Sequence, residues 1–240
     1  MYSRPQKLLA ELGGTFAVVF LSAGAVCADA YLRSRQSSSL GPLGLALVYG
    51  VAYAAAVATL GRVSGAHFNP AVTIGHWVTR RFGPFDMLTY TTAQLAGACA
   101  AGYLLRAALP QSVAGLAMLG TPSLASGITH GPAMLIEAAM TFVLVLALWT
   151  TVADRVAPRY WLAALVAGAV VFAAAFLGGP YTGGAMNPAR AFGPALAAHE
   201  WAYQPVYWVG PLAGGVAAAS LYDLLFHRAH AQPLPDKTMG

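Results

Sequence analysis

The tripeptide Asn-Pro-Ala occurs twice in the 240-residue sequence, at Asn69-Pro70-Ala71 and at Asn187-Pro188-Ala189. An asparagine followed by a proline is typical of a helix start, because the asparagine can cap the helix and the proline fits its first turn. The N–H groups at a helix start are exposed and carry a positive partial charge. Two such starts that meet inside a membrane would form a polar site that attracts oxygen atoms and repels cations.

Three charged residues lie in apolar segments near these tripeptides. Arg190 directly follows the second tripeptide, and Glu11 and Glu137 precede the two tripeptides by 58 and 50 positions. A charged side chain inside a membrane segment is costly, so each of the three is a functional candidate. The guanidinium could donate hydrogen bonds to a passing oxygen atom. The two carboxylates could relay protons, which would make the protein a transporter.

The composition is that of a membrane protein. The sequence is 58% hydrophobic and 9% charged, with a mean hydropathy of +0.61, which argues against a soluble domain. The net charge is +5, but the basic residues are scattered and form no basic face with interleaved aromatic residues, so we expect no nucleic-acid binding. Cys27 and Cys99 lie in apolar runs and are typical of small core residues.

The sequence shows no pattern of enzyme chemistry. No nucleophile–base arrangement is visible, and His76, His130 and His199 have no metal-ligand spacing. We therefore expect no enzymatic activity, no cofactor and no metal site.

Six apolar segments are long enough to cross a bilayer core of about 30 Å, which takes about 20 helical residues. They are residues 8–32, 43–60, 87–107, 132–153, 160–177 and 206–226. Two further apolar segments, 69–78 and 187–197, are about half as long and open with Asn-Pro. Segments of this kind predict re-entrant half-helices, which membranes tolerate only when they are buried in protein or line an aqueous cavity.

The two halves of the chain resemble each other. Glu11, Thr15 and Phe16 have the same spacing as Glu137, Thr141 and Phe142. We therefore predict one channel domain over residues 1–240, with a first repeat at about 8–107 and a second at about 132–226, and short cytoplasmic tails. Because each repeat has three spans, the second repeat crosses the membrane in the opposite orientation to the first. Inverted repeats place their shared site at the bilayer midplane.

The basic residues predict the orientation. Nine of them fall in the loops and tails on one side of the predicted spans: Arg4, Lys7, Arg62, Arg80, Arg81, Arg155, Arg159, Arg228 and Lys237. Three fall on the other side: Arg33, Arg35 and Arg106. Because cytoplasmic loops carry the excess of Lys and Arg, both termini are predicted to be cytoplasmic, in a plasma or inner membrane.

The segments SGAHFNPAVT and GGAMNPARAFGP, together with the two Glu-x-x-x-Thr-Phe segments, resemble the aquaporin (major intrinsic protein) family over roughly residues 8–226. The resemblance implies an all-α membrane protein with six transmembrane helices plus two re-entrant half-helices in two inverted repeats. It also implies a homotetramer in the lipid membrane, with one passive pore per subunit for water and small neutral solutes.

In that fold Asn69 and Asn187 would face each other at the midplane and donate hydrogen bonds to the permeant. The backbone before each tripeptide would line the pore with carbonyl acceptors: Gly65, Ala66, His67 and Phe68 in the first half, and Gly183, Gly184, Ala185 and Met186 in the second. Glu11 and Glu137 would be structural acids that accept hydrogen bonds from this backbone. His67 would line the cytoplasmic vestibule, either passively or as a pH-sensitive gate.

The resemblance also implies a selectivity constriction of Tyr49, Ala175, Gly184 and Arg190. Water-selective members often have histidine at the position of Ala175, so the opening here is predicted to be wider than a strict water filter and to admit solutes of glycerol or urea size. Other features favour the water-selective branch: Ala191 and Ala195 after the second tripeptide, and the aromatic pair Tyr207-Trp208. A strictly water-selective channel therefore stays open as an alternative, and a secondary transporter built on inverted repeats is a more distant one.

Overall fold

The computed structural model describes residues 2–153 and 160–227, and within them every regular element is helical. Six helices are long: α1 (Arg4–Ser34), α2 (Gly41–Ser64), α4 (Pro84–Ala108), α6 (His130–Leu148), α7 (Tyr160–Thr182) and α9 (Gln204–Tyr222). Three are short: α3 (Pro70–Val78), α5 (Gln111–Ala117) and α8 (Pro188–Ala198). The basic residues Arg155, Arg159, Arg228 and Lys237 of the orientation argument lie outside the described residues.

Five of the long helices in the described part of the chain are long and apolar enough to cross a membrane, namely α1, α2, α6, α7 and α9. The third predicted span, residues 87–107, corresponds to α4, which has 25 residues but does not reach the same hydropathy. The reason lies in its sequence, which carries threonines at 89, 91 and 92 and a glutamine at 94. Gln94 is fully buried in the protein. The hydroxyls of Thr89 and Thr92 instead donate to carbonyl oxygens of their own helix.

Glycines let the long helices pack closely, and the contacts repeat in the two halves. A Cβ placed on Gly97 of α4 would collide with the carbonyl oxygen of Leu12 in α1. A Cβ placed on Gly214 of α9 would collide in the same way with the carbonyl oxygen of Ala138 in α6. Leu12 and Ala138 directly follow Glu11 and Glu137 in the sequence. The same close helix crossing therefore sits beside the acid of each half.

A third glycine crossing joins α2 to α7, the helices that carry Tyr49 and Ala175. A Cβ on Gly50 would lie 2.6 Å from the carbonyl oxygen of Gly168, and a Cβ on Gly168 would lie 2.7 Å from that of Gly50. Neither neighbour can rotate away, because both contacts are to backbone atoms. This crossing sets the separation of the two helices next to the predicted constriction.

We expect Gly50→Ala to destabilise the folded protein by about 1–3 kcal/mol, because overpacking a tight contact forces the backbone apart. Gly131→Ala is the matched control: it lies in α6, and a Cβ there meets no atom within 4 Å. The melting temperatures of the purified proteins in detergent measure the difference. Equal melting temperatures for the two variants would contradict the close α2–α7 crossing.

Candidate functional site

The half-helices α3 and α8 begin at the two tripeptides, and each is capped by its own asparagine. The side-chain oxygen of Asn69 accepts a hydrogen bond from the Ala71 N–H at 2.9 Å. That of Asn187 accepts hydrogen bonds from the N–H groups of Ala189 at 2.9 Å and Arg190 at 3.4 Å. Both asparagines are extended and the following prolines occupy the first helical position, as the sequence predicted.

The two helix starts are tied to each other by a reciprocal pair of hydrogen bonds. The side-chain amide of Asn69 donates to the carbonyl oxygen of Met186 at 2.9 Å, and that of Asn187 donates to the carbonyl oxygen of Phe68 at 2.8 Å. A side-chain amide has two N–H groups, so each asparagine retains a second donor after making this contact. Both asparagines line a small cavity between the half-helices.

The backbone before each cap turns sharply. Ala66, Phe68 and Met186 adopt left-handed backbone angles, with φ of 60°, 47° and 52°. Such angles are uncommon outside glycine and cost energy unless surrounding contacts hold them. Gly65 and Gly184 share this conformation, with φ of 100° and 62°, at no steric cost.

The buried carboxylates hold these turns in place. Glu11 accepts hydrogen bonds from the N–H groups of His67 at 3.1 Å and Phe68 at 2.7 Å. Glu137 accepts them from the N–H groups of Ala185 at 3.0 Å and Met186 at 2.6 Å. Both glutamates are fully buried. Each acid thus binds two successive N–H groups of the turn before its half-helix.

Two residues that the sequence argument did not identify complete this support. Gln94 of α4 donates to Glu11 at 2.7 Å and to the Thr73 hydroxyl at 2.8 Å. The hydroxyl of Thr182, at the end of α7, donates to Glu137 at 2.7 Å. The sequence signal that could have pointed to Gln94 is a glutamine inside an apolar segment. For Thr182 there was no such signal.

An outer cavity of about 880 Å³ is lined by the end of α1, the first half of α2, the end of α7 and the connection after α5. Its lining includes Tyr49, Ala175, Gly183 and Arg190. The small cavity between the half-helices, which we call the inner cavity, has about 20 Å³ and is lined by Tyr49, Gly184 and Arg190 as well as the two asparagines. The four predicted constriction residues are thus brought together where the two cavities adjoin.

Arg190 is nearly buried, at 2% exposure, and its guanidinium is anchored on two sides. One terminal nitrogen donates to the carbonyl oxygen of Gly120 at 2.8 Å, and the other donates to the Tyr49 hydroxyl at 2.8 Å. Gly120 belongs to a short 3₁₀ turn, Met118–Gly120, in the connection between the two halves. The sequence argument did not find Gly120, because a backbone acceptor carries no side-chain signature.

Ala175 and Gly184 are the small residues of the predicted constriction. Ala175 lines the outer cavity and Gly184 lines the inner cavity. A Cβ built on Gly184 would lie 3.3 Å from the Cα and 3.6 Å from the Cβ of Ala175, so the two residues are close neighbours. Neither carries a side chain larger than a methyl group.

Of the predicted carbonyl lining, the second-half segment lines the two cavities. Gly183 lines the outer cavity, and Gly184, Ala185 and Met186 line the inner cavity. The first-half segment Gly65, Ala66, His67 and Phe68 lines neither of these two cavities. Its carbonyl groups at His67 and Phe68 accept hydrogen bonds from the hydroxyl of Tyr53 and the amide of Asn187.

His67 lies in an aromatic cluster instead of on a cavity wall. Its ring is 2% exposed and stacks on His76 at 4.1 Å between ring centres. Phe82 and Tyr90 contact the same ring at 5.0 and 5.2 Å, and Nδ1 lies 3.1 Å from the Thr73 hydroxyl. His67 is thus packed among neighbouring rings, and its predicted place in the cytoplasmic vestibule stays a prediction.

The described residues contain no group of three His, Cys, Asp or Glu side chains that could hold a metal ion. Cys27 and Cys99 are free thiols.

The fold and the site together define a class of protein: a membrane channel of long helices whose two half-helices meet by their N-termini beside a narrow opening. The chain belongs to the major intrinsic protein family, whose family model matches residues 2–222. Its fold accordingly has six transmembrane helices and two re-entrant half-helices. Members of this family are channels and not enzymes, so the chain is a multi-pass integral membrane channel for water or small solutes.

Known proteins resemble the chain over nearly its whole length. Aquaporin TIP4-4 of Zea mays is 39% identical over 234 residues, covering 96% of this chain and 90% of that protein. Aquaporin AqpM of Methanothermobacter thermautotrophicus is 35% identical over 244 residues, covering 94% and 99%. The aquaglyceroporin structure from Plasmodium falciparum has a TM-score of 0.80 and 24% identity, covering 95% of this chain and 98% of that one, which shows a shared fold.

Proposed function

We propose that this channel passes water and uncharged solutes of glycerol or urea size, and that it excludes protons and ions. The observation that carries the proposal is the small size of Ala175 and Gly184, which line the outer and the inner cavity together with Tyr49 and Arg190. A methyl group and a hydrogen atom leave room that larger side chains would fill.

The exclusion of ions rests on charge. The guanidinium of Arg190 lies at the opening, and the positive ends of α3 and α8 meet below it; positive charge in a pore repels cations and protons. The remaining amide donors of Asn69 and Asn187 can bind the oxygen atom of a passing molecule. A neutral molecule can therefore accept hydrogen bonds from these groups, whereas their positive charge repels a cation.

The contacts of the two acids argue against the transporter alternative. Glu11 and Glu137 line neither cavity, and their oxygens are engaged by backbone N–H groups and by Gln94 or Thr182. A proton relay needs a carboxylate that exchanges protons with the permeation path. Here each acid serves as a fixed acceptor for a turn of the backbone.

One observation favours the strictly water-selective alternative. The inner cavity of about 20 Å³ has room for about one water molecule. In this conformation the inner cavity is too small for glycerol or urea, although Ala175 and Gly184 are small.

Stopped-flow swelling of proteoliposomes distinguishes these functions. We expect osmotic water flux, together with entry of urea or glycerol above the rate of empty liposomes, without saturation and without dependence on a proton gradient. The same vesicles carrying a pH-sensitive dye should show no added proton leak. Water flux without entry of any tested solute would establish the water-selective alternative, and saturable flux coupled to protons would establish a transporter.

We also propose the orientation and assembly that the resemblance implies: both termini cytoplasmic, in a plasma or inner membrane, and a homotetramer with one pore per subunit. The support for the orientation is the excess of Lys and Arg residues on the side where α1 starts. At the end where α1 starts, Arg4 pairs with Asp86 at 2.8 Å and Arg81 pairs with Asp223 at 2.7 Å. Arg4 and Arg81 therefore lie at the same end of the helix bundle, which is the proposed cytoplasmic side.

A further inference from the structure

We infer that Thr73 is a positioning residue: it holds the imidazole of His67 with its proton on Nδ1, which leaves Nε2 as a hydrogen-bond acceptor. Thr73 follows the Asn69 cap by one helical turn in α3 and is fully buried. The inference deepens the proposed function and rests on it for the role of Nε2. In the predicted place of His67 in the cytoplasmic vestibule, that nitrogen accepts a hydrogen bond from a permeating water molecule.

The Thr73 hydroxyl makes three polar contacts. It lies 3.1 Å from Nδ1 of His67, 2.8 Å from the side-chain nitrogen of Gln94 and 3.2 Å from the carbonyl oxygen of Asn69. A hydroxyl has one hydrogen to donate and two lone pairs that accept. All three contacts can therefore be hydrogen bonds only if two of the partners donate and one accepts.

The directions of two contacts are set by the partners. The carbonyl oxygen of Asn69 can only accept, so it takes the hydroxyl hydrogen. The amide of Gln94 is oriented by Glu11, whose carboxylate accepts a hydrogen bond from the same side-chain nitrogen at 2.7 Å. That nitrogen has a second hydrogen, which it donates to the hydroxyl. The lone pair that remains faces Nδ1 of His67, so Nδ1 carries the ring proton.

The neighbouring histidine has the same tautomer. Nδ1 of His76 lies 3.0 Å from the carbonyl oxygen of Val72, which can only accept, so this nitrogen is protonated too. The rings of His67 and His76 stack at 4.1 Å between centres. None of the hydrogen bonds that His67 makes within the described residues involves Nε2. The lone pair of that nitrogen is therefore left for a ligand that donates, such as water.

The second half of the protein lacks this chain of contacts. Counterparts in the second half follow from the distances to the tripeptides and to the glycines at the helix crossings. They have no side-chain hydrogen-bonding groups: Ala185 for His67, Ala191 for Thr73 and Pro211 for Gln94. The second half nevertheless holds its turn, through the two N–H groups bound by Glu137. A re-entrant turn therefore does not need the chain of contacts, and what the chain holds in the first half is the imidazole.

The first test is the nitrogen NMR spectrum of the protein in lipid, with labelled histidine, above the pH range in which histidines titrate. We expect His67 to show a protonated Nδ1 and a bare Nε2, with its signals assigned by their loss in His67→Asn. In Thr73→Val, which removes the hydroxyl, the ratio of the Nδ1–H form to the Nε2–H form should fall about fivefold, the effect of one lost hydrogen bond. Thr73→Ser should restore the wild-type ratio.

A wild-type His67 with its proton on Nε2 would overturn the inference, and so would an unchanged ratio in Thr73→Val. The matched control is Thr79→Val, which removes a hydroxyl that donates to the carbonyl oxygen of Gly75 at 2.9 Å. It should leave the His67 ratio unchanged, and an equal change in both variants would count against Thr73. His76 is the internal reference, because the carbonyl group that it contacts keeps its proton on Nδ1 in every variant.

Stopped-flow water flux tests the role of Nε2 in permeation. Per reconstituted channel, we expect the flux of Thr73→Val to be about two- to fivefold lower than that of Thr79→Val, because Nε2 then carries a proton and cannot accept. Equal fluxes in the two variants would overturn this role. Wild-type vesicles that pass no water would instead refute the channel function, whereas the tautomer ratios are measured without any flux.

Discussion

Replacing Glu137 by alanine is expected to abolish folding of the channel. The change leaves the N–H groups of Ala185 and Met186 buried without their acceptor, and the Thr182 hydroxyl keeps only its 3.4 Å contact with the Gly178 carbonyl oxygen. Each unsatisfied buried donor costs about 1–3 kcal/mol, so the two N–H groups together cost about 2–6 kcal/mol, which is comparable with the whole stability of many proteins. The left-handed Met186 also loses the contact that holds it.

The yield of monodisperse protein after detergent extraction and its melting temperature measure this effect. Glu200→Ala is the matched control, since that carboxylate lies at an exposed turn and accepts one bond, from the Ala202 N–H; we expect a change within about 0.5 kcal/mol. Glu137→Gln keeps one acceptor oxygen and should fold with reduced stability and pass water. A Glu137→Gln protein that folds like the wild type but has lost all flux would show that the acid exchanges protons.

Replacing Ala175 by histidine is expected to lower glycerol and urea flux by about tenfold or more relative to water flux. Ala175 lines the outer cavity, and its Cβ would lie 3.6 Å from a Cβ built on Gly184. An imidazole there fills the space and supplies hydrogen-bonding nitrogens for water. Steric differences of a few atoms in a fitted site change rates by about 10–200-fold.

Two variants separate the possible causes of that result. Ala175→Leu adds bulk without hydrogen-bonding groups and should reduce water flux together with solute flux. Ala173→Leu lies on the exposed side of the same helix and should change neither. Solute flux that stays at the wild-type level in Ala175→His would mean that this side chain does not face the permeation path. Substituting Gly184 instead is a poorer test, because its φ of 62° strains any other residue.

The elements of the fold followed closely from the sequence. The predicted half-helices at 69–78 and 187–197 are observed as Pro70–Val78 and Pro188–Ala198. They could be predicted because asparagine caps and first-turn prolines act within a few residues of the helix start. The long helices could be predicted because bilayer thickness sets a minimum length of apolar sequence. The exception was α4, whose Gln94 serves interior contacts that hydropathy does not reveal.

The partners of the site residues were less predictable, and distance along the chain explains why. Gln94 reaches Glu11 across 83 positions, and Arg190 reaches Gly120 across 70 and Tyr49 across 141. A resemblance could place Tyr49 and Arg190 at one opening. It could not specify that the phenol oxygen and the guanidinium bond to each other.

The sequence by itself therefore determined that the chain is a membrane channel with two capped half-helices, because those signals are local in composition and motif. Only the tertiary structure decided how the half-helices are held and how the opening is divided. The carboxylates find their backbone donors, and Tyr49 finds Arg190, only after glycine contacts have set the distances between helices. The physical reason is that a hydrogen bond forms within a few tenths of an ångström of its preferred length, a precision that packing provides and that residue order does not encode locally.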